Sequence, residues 1–382
     1  MTSTTKLLPS LSGKLGIIEL NNPKIFHSID LEMVHSFREI LSVWHQTSSL
    51  RAILLRSGPA KRPAFCAGGD VRAVYDHGLD ESEIHGKGMP GVYTSEMFRQ
   101  EYIVNHMMAT WDKPQISFWD GIVMGGGVGL SIHGKYRVST ENTIFAMPET
   151  AIGLFPDVGM MYWMPHLLPW SVASFLALSG ARLRAPDLIH TGIATHFVPS
   201  ERLDDLQKAL IEATEAATDN ADTDVLAPIL MSFHEEPPKL DLVKTPILAH
   251  QSEIYEIFQE GDRVEDIVAR LKSRDDPFSQ DTLSNIEKMS PTSLKVTLEA
   301  MKRGKAMSTL EEDFKMEFRM SQAFMKEGSD FYKGIRAVLV DKDHNPQWSP
   351  ATLEEVTDEM VESYFAPLGK NEWSTQSQFS NL

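Results

Sequence analysis

The chain has 382 residues, of which 42% are hydrophobic and 23% charged, which is typical of a globular protein long enough for two domains. Its net charge of −17, from 36 basic and 53 acidic residues, disfavours nucleic acid as a partner, because nucleic-acid affinity depends largely on neutralising phosphates. No apolar run approaches the roughly 20 residues of a membrane-spanning helix, so we expect no membrane partner. The single Cys66 excludes an internal disulfide and fits a reducing compartment.

The two ends of the chain carry weak targeting signals. The first 16 residues are rich in Ser and Thr and lack acids, as transit peptides do, but they contain no Arg, and we predict a flexible tail. The last three residues, Ser380-Asn381-Leu382, resemble the peroxisomal Ser-Lys-Leu signal only in part. Neither end decides the compartment.

Strand and helix patterns alternate through the first 200 residues. Strands are predicted at 15–20, 51–57, 115–119 and 193–198, with shorter β-like segments at YRVST and TIFAM. Helices are predicted at about 30–47, 94–111, 171–179 and 185–191, the first with Asp30 as its N-cap. This alternation, with loops at the strand ends, predicts an α/β fold.

From about residue 200 the pattern becomes helical. The segment ERLDDLQKALIEATEAATDN predicts a charged amphipathic helix, and few strand signals follow it. We therefore divide the chain into a catalytic α/β core over residues 12–200 and a helical C-terminal region over residues 201–382.

Two glycine-rich loops are candidates for close approach of the backbone to a ligand. The loop FCAGGD leads into a predicted helix, where backbone N–H groups lack partners, but the loop taken alone favours a tight turn with Asp70 at the helix start. The loop MGGGVGLS is not a P-loop, a dinucleotide fingerprint or a nucleophile elbow, because each of these motifs needs a residue that is missing here. An oxyanion hole and a glycine-rich packing contact remain the two interpretations.

A third loop, MPETAIGLFPDVG at 147–159, places two acids among apolar residues. Pro156 disfavours helical backbone at Phe155, so we predict a bend rather than a helix between Glu149 and Asp157. Buried carboxyl groups acquire raised pKa values through desolvation, which suits a general base or acid near neutral pH. The alternative is that both acids cap helices.

Metal and thiol chemistry have little support in the sequence. The thirteen His residues show no H-E-x-x-H motif or comparable ligand spacing, so we predict no metal. Cys66 has no evident His partner, and we do not expect it to be a nucleophile.

The three loops together, FCAGGD, MGGGVGLS and FAMPETAIGLFPDVG, resemble the enoyl-CoA hydratase/isomerase (crotonase) superfamily. The segments KMSPTSLKVTL and ATHFV resemble its 3-hydroxyisobutyryl-CoA hydrolase branch, and the likeness runs from LGIIELNNPK to GIRAVLVDKDHNPQWSP. The resemblance implies a crotonase-type spiral of ββα units. It also implies a mainly helical C-terminal region that covers the site or mediates association.

The resemblance also implies the reacting groups. The backbone N–H groups of Gly69 and Gly126 match the pair that binds the thioester oxygen. Hydratases carry two glutamates; Glu149 matches the second, but Gly129 stands at the first. Asp157 stands where hydratases usually have a small residue. On both counts the chain is similar to the hydrolase branch.

Binding residues are implied in the same way. Glu101 matches a position that lines the acyl pocket, with a solvated helix face as the alternative. Residues 21–24 align with the segment that cradles CoA, and Lys24, Lys61 and Arg62 would supply cations for its phosphates. The run FHSID departs from the Asn-Ala-Leu-like run of relatives, which leaves these contacts open.

The implied reaction is hydrolysis of a short branched 3-hydroxyacyl-CoA, 3-hydroxyisobutyryl-CoA, to the free acid and CoA in valine catabolism. Glu149 would attack the carbonyl or activate water, and Asp157 would orient the 3-hydroxyl or water and assist proton transfer to the thiol. CoA belongs to the substrate, so no cofactor is predicted. The alternatives are an enoyl-CoA hydratase or isomerase with the same oxyanion hole, and a non-catalytic ribosome-associated scaffold.

The valine role implies the mitochondrial matrix, with the peroxisome or cytoplasm as alternatives. The predicted partner is a small acyl-CoA, and homo-oligomerisation stays open.

Overall fold

The computed structural model describes residues 5–80, 87–217, 224–240, 244–261 and 263–375. The strands are β1 (Leu7–Ser12), β2 (Leu15–Leu20), β3 (Ala52–Ser57), β4 (Ala64–Cys66), β5 (Gln115–Trp119), β6 (Ile122–Met124), β7 (Tyr136–Ser139), β8 (Ile144–Ala146) and β9 (His196–Phe197). The helices up to residue 233 are α1 (Leu31–His45), α2 (Val71–Asp80), α3 (Tyr93–Ala109), α4 (Gly126–Gly129), α5 (Met160–Leu167), α6 (Trp170–Ser179), α7 (Ala185–Thr191), α8 (Leu203–Ala216) and α9 (Leu226–Phe233). The later helices are α10 (Pro246–Ala249), α11 (Gln251–Ile257), α12 (Val264–Lys272), α13 (Pro277–Ile286), α14 (Pro291–Ala306), α15 (Leu310–Phe324), α16 (Asp330–Ile335) and α17 (Asp358–Ser363).

The strands form two sheets. The larger has the order β1-β2-β3-β5-β7-β9, in which β1 and β2 pair antiparallel and every other neighbouring pair is parallel. The smaller has the order β4-β6-β8. Since parallel strands point the same way, the loops that follow β2 and β3 leave from one edge of the larger sheet.

The chain divides into two compact units built from interleaved segments. The first comprises Met1–Gly69, Met107–Phe145 and Arg182–Leu248. The second comprises Asp70–His106, Ala146–Ala181 and Ala249–Leu382. The predicted division at residue 200 stays a prediction.

The core of the first unit lies between the larger sheet and two helices. Alternate residues of β2, β3, β5 and β7 point to one face, as the two-residue period of a strand requires. Helices α8 and α9 cover this face with side chains three or four positions apart, namely Leu203, Leu206, Leu210, Leu226 and Leu230.

The second unit is built mainly from helices. Helix α14 lies directly against the backbone of α5, because a Cβ at Gly304 would stand only 2.1 Å from the carbonyl oxygen of Met161. Only glycine permits this separation. The turn Glu149–Ile152 also contacts α14 and α16, so the segment that carries Glu149 is packed against helices from the last third of the chain.

Most local predictions are confirmed. Strands β2 and β5 have the predicted limits, and the side chain of Asp30 accepts a hydrogen bond from the Met33 N–H at 2.9 Å, which caps α1. The predicted flexible tail is wrong from Leu7 onward, because β1 forms a hairpin with β2 across Gly13, whose φ is +60°. The Ser-Gly dipeptide at this turn was the available signal.

Two further findings concern membrane crossing and the C-terminal signal. Among the described residues, no helix combines the length and the apolar character needed to cross a bilayer. The Ser380-Asn381-Leu382 signal lies outside the described residues.

Candidate active site

The segment that carries Glu149 is a short 3₁₀ turn rather than an α-helix. Glu149 opens this turn, Glu149–Ile152, directly after Pro148, and Gly153 ends it with a φ of +71°. A Cβ at Gly153 would lie 2.3 Å from the carbonyl oxygen of Asp330. Glycine is therefore required there both by the positive φ and by this close approach. The predicted interruption of the helix between the two acids is confirmed.

Asp157 follows Pro156 and precedes α5. Its carboxylate does not cap that helix, because the N-cap residue is Gly159 and no side chain there accepts a hydrogen bond. The hydroxyl of Tyr102, on α3, instead donates to Asp157 Oδ2 at 2.9 Å. The capping alternative is therefore wrong for Asp157.

Glu149 and Glu101 are buried with unpaired oxygens. Their exposed fractions are 6% and 5%, so the solvated helix face is wrong for Glu101. In the described part of the chain, neither Glu149 Oε2 nor Glu101 Oε1 has a hydrogen-bond partner. Buried polar atoms are nearly always satisfied in folded proteins, so these two unpaired oxygens are candidates for contact with a ligand, although Asp187 Oδ2 and Asp313 Oδ1 are buried and unpaired as well.

Burial is the main cause of the perturbed acidity of these three carboxyl groups. It raises the pKa of Glu149 well above its ordinary value, and the charges of Asp157 and Glu101 raise it further. Burial raises the pKa of Asp157 to about 7, although the hydrogen bond from Tyr102 opposes the shift. The pKa of Glu101 is raised by burial and then by Asp157. The second unit thus brings Glu101, Glu149 and Asp157 close enough for their charges to raise one another's pKa values.

A second pair of buried acids lies on α15. Glu317 accepts hydrogen bonds from the N–H of Gly159 at 2.8 Å and of Met161 at 3.2 Å, and Asp313 accepts from the N–H of Tyr162 at 3.0 Å. We call Asp313 and Glu317 the helix acids, and Glu149 and Asp157 the loop acids. Both helix acids are fully buried.

Sequence reasoning missed Tyr102 and both helix acids. Asp313 and Glu317 are four residues apart, so they share one face of a helix, and each adjoins a Phe in the sequence. This spacing was the only sequence signal that the two acids share a buried helix face. It is a weak signal, because Asp and Glu usually face solvent.

The two glycine-rich loops lie against each other in the first unit. A Cβ at Gly68, where φ is +105°, would stand 3.3 Å from the carbonyl oxygen of Met124 and 3.7 Å from the nitrogen of Gly126. A Cβ at Gly127 would stand 2.5 Å from the carbonyl oxygen of Cys66. Close packing therefore explains Gly127.

The predicted oxyanion donors differ from these packing glycines. Gly126 opens α4, and the N–H of a first helical residue has no acceptor within its own helix. Among the described residues, no backbone carbonyl accepts from the N–H of Gly69. Gly129 is buried at the end of α4. The oxyanion role of Gly69 and Gly126 stays a prediction.

The predicted CoA-binding cations lie on the surface of the first unit. Lys24 follows β2, and Lys61 and Arg62 follow β3, so the adjacent parallel strands deliver them from one edge of the sheet. The amides of Asn21 and Asn22 donate to the chain's own carbonyl oxygens, those of Thr5 and Ser28. The binding of CoA here stays a prediction.

The described residues contain no group of three or more His, Cys, Asp or Glu side chains placed to hold a metal ion. The absence of a metal and of a cofactor stays a prediction.

The chain has near-full-length relatives. A model of the family described as enoyl-CoA hydratase/isomerase matches residues 15–365. The 3-hydroxyisobutyryl-CoA hydrolase, mitochondrial, of Gallus gallus is 44% identical over 97% of this chain and 91% of the relative. The protein of the same name from Homo sapiens is 41% identical over 96% of this chain and 90% of the relative.

Solved structures are similar over nearly the same length. A carnitinyl-CoA dehydratase from Mycobacterium thermoresistibile has a TM-score of 0.85 and 36% identity, with 98% of this chain and 100% of that chain covered. An enoyl-CoA hydratase from Rhodobacter sphaeroides has a TM-score of 0.81 and 30% identity, with 97% and 100% covered. These similarities confirm the predicted fold class.

Proposed function

The chain belongs to the enoyl-CoA hydratase/isomerase family, and we propose that it hydrolyses 3-hydroxyisobutyryl-CoA to 3-hydroxyisobutyrate and CoA. The observation that carries this proposal is the 44% identity to a protein named 3-hydroxyisobutyryl-CoA hydrolase over 97% of the chain. The relatives' names include the word mitochondrial, which supports the same compartment for this chain, and we propose a role in valine breakdown.

The loop acids supply the chemistry. The carboxylate of Glu149 attacks the thioester carbonyl carbon, and the C–S bond breaks to leave a mixed anhydride, which water then hydrolyses; alternatively, Glu149 takes a proton from the attacking water. Protonated Asp157 gives its proton to the departing sulfur. Its pKa of about 7 makes this transfer practicable at neutral pH, and the hydroxyl of Tyr102 stabilises the carboxylate that remains.

The other predicted residues take supporting roles in the proposal. The N–H groups of Gly69 and Gly126 bind the thioester oxygen, a contribution of about 10²–10³ in rate for each donor. Glu101 lines the acyl pocket, where its unpaired oxygen supports a hydrogen bond to the substrate. On the first unit, Lys24, Lys61 and Arg62 are proposed to meet the phosphates of CoA.

A second candidate is a hydratase, dehydratase or isomerase, because the solved neighbours are named a dehydratase and a hydratase. Position 129 argues against it, since a buried glycine stands where the resemblance leads one to expect the first hydratase glutamate.

Thiol release separates the two candidates. The protein is incubated with 3-hydroxyisobutyryl-CoA and with crotonyl-CoA, and free thiol and enoyl absorbance are followed together. We expect thiol only from the hydroxyacyl ester. Loss of enoyl absorbance from crotonyl-CoA, with no thiol from either ester, would overturn the proposal.

A single turnover in water enriched in the heavy oxygen isotope tests the route. Mass analysis of the peptide that contains Glu149 is the readout. Label in the Glu149 carboxylate would exclude direct attack by water.

A further inference from the structure

The helix acids bind the turn that directly follows Asp157. Glu317 accepts the N–H of Gly159, two residues after Asp157, at 2.8 Å. Helix α5 has no capping side chain of its own, since its N-cap residue is Gly159. The first N–H groups of a helix need acceptors from elsewhere, and here the acceptors come from a helix 158 positions later in the chain.

The backbone of this turn is strained. Val158 has a φ of +60°, in the left-handed region that β-branched residues hardly ever adopt. Such a conformation costs about 1–3 kcal/mol and persists only where surrounding contacts hold it. Its neighbour Gly159 also has a positive φ, of +88°. The hydrogen bond from Gly159 to Glu317 therefore acts at the next residue after the strained one.

Burying two acids at the start of one helix costs free energy, because desolvation disfavours their charged forms. Burial raises the pKa of Asp313 to about 7, and burial followed by the charges of Asp313 and Asp157 raises that of Glu317. Each of these two acids therefore accepts backbone N–H groups of α5 or of the turn before it while it is shielded from water. From α3, Tyr102 faces the charge of Glu317, and His106 contacts the ring of Phe314 on α15.

We propose that Glu317 and Asp313 are positioning residues for Asp157: by binding the N–H groups at the start of α5, they hold the strained turn so that the Asp157 carboxylate stays on the hydroxyl of Tyr102. The inference rests on the proposed function, because it concerns the group that transfers the proton there. The helix acids would then support the reaction without touching the reacting atoms.

A double-mutant cycle tests the inference. Glu317→Gln keeps the size of the side chain and one acceptor, but it presents an NH₂ group to one of the two N–H donors. We expect kcat to fall by about 10–100-fold, because a small misplacement of a catalytic group has an effect of that order. KM changes by less than about threefold. In an Asp157→Asn background, the same substitution adds no further loss of kcat, since the group it positions is already disabled.

The matched control is Asp187→Asn. Asp187 is also a buried acid with a raised pKa, of about 6, and it accepts a helix-start N–H, that of Leu248, at 2.9 Å. We expect it to lower the melting temperature without lowering kcat. Asp313→Asn, which keeps an acceptor for the Tyr162 N–H, repeats the cycle if the Glu317 variant fails to fold.

Three outcomes overturn the inference: an unchanged kcat in a folded Glu317 variant, equal losses in both backgrounds, or an equal loss in the Asp187 control. For the double-mutant cycle, kcat is measured for whichever reaction the wild-type protein catalyses. A wild type that hydrates crotonyl-CoA without releasing thiol thus overturns the proposed function, while the positioning role is judged separately.

Discussion

The loop acids and the helix acids are two buried pairs in the same unit, and they differ in what binds their oxygens. Burial raises the pKa of all four groups. The helix acids accept three backbone N–H groups. The loop acids receive the Tyr102 hydroxyl and their own N–H groups, and Glu149 Oε2 has no partner in the described part of the chain.

This difference separates a reactive acid from a structural one. A raised pKa by itself reports only burial, and it is shared by both pairs. An unpaired oxygen does not separate the pairs either, because Glu149 Oε2 and Asp313 Oδ1 both lack a hydrogen-bond partner among the described residues. The helix acids are distinguished by what they bind: they accept the N–H groups at the start of α5 and so support the turn, whereas Asp157 accepts the hydroxyl of Tyr102.

The largest effect is expected at Glu149. Glu149→Gln keeps the shape of the side chain but removes the nucleophile or base, so kcat for thiol release should fall by about 10²–10⁴-fold. The affinity for the CoA ester should stay within a few-fold of wild type, as measured by titration of the variant. Near-normal turnover would show that the unpaired oxygen of Glu149 is not a reacting group.

Asp157→Asn should lower kcat by about 10²-fold, since it removes the proton donor to the leaving sulfur. It should also abolish the inflection near pH 7 in the profile of kcat/KM against pH, because burial places the pKa of Asp157 at about 7. If the inflection survives in this variant, it belongs to another acid and the two pairs must be reassigned.

Tyr102→Phe should lower kcat by about tenfold, the value of one hydrogen bond to a charged group. The bond from Tyr102 lowers the pKa of Asp157, so its loss should move the inflection to higher pH. Tyr255→Phe is the control, because Tyr255 is 72% exposed. A shift to lower pH would contradict the proposed stabilisation of the carboxylate.

The last prediction concerns stability rather than turnover. The carboxyl groups of Asp157 and Asp313 each rise in pKa from an ordinary 3.8 to about 7 on folding, so the folded chain binds protons that the unfolded chain has lost. The free energy of unfolding should therefore fall as the pH rises from about 4 to about 7. Denaturant titrations across this range measure the slope, and Asp313→Asn should flatten it. A stability that rises with pH in wild type, but not in this variant, would contradict the assignment.

Local sequence signals predicted those features that depend on neighbouring residues. Asp30 was recognised as a cap because its side chain reaches an N–H three residues on, and β2 was recognised by its apolar run. Strand β1 was missed because four of its six residues are exposed, which leaves no buried alternation to read.

The sequence by itself determined the family, through its three loop motifs. It also determined the break in the helix between Glu149 and Asp157, since Pro156 restricts the backbone of Phe155 and Gly153 permits the left-handed conformation that ends the turn. Only the tertiary structure decided that both loop acids are buried, that Tyr102 binds Asp157, and that the next helix is capped from 158 positions away. Burial and these hydrogen bonds depend on segments that meet only when the chain folds, and no pattern of neighbouring residues encodes them.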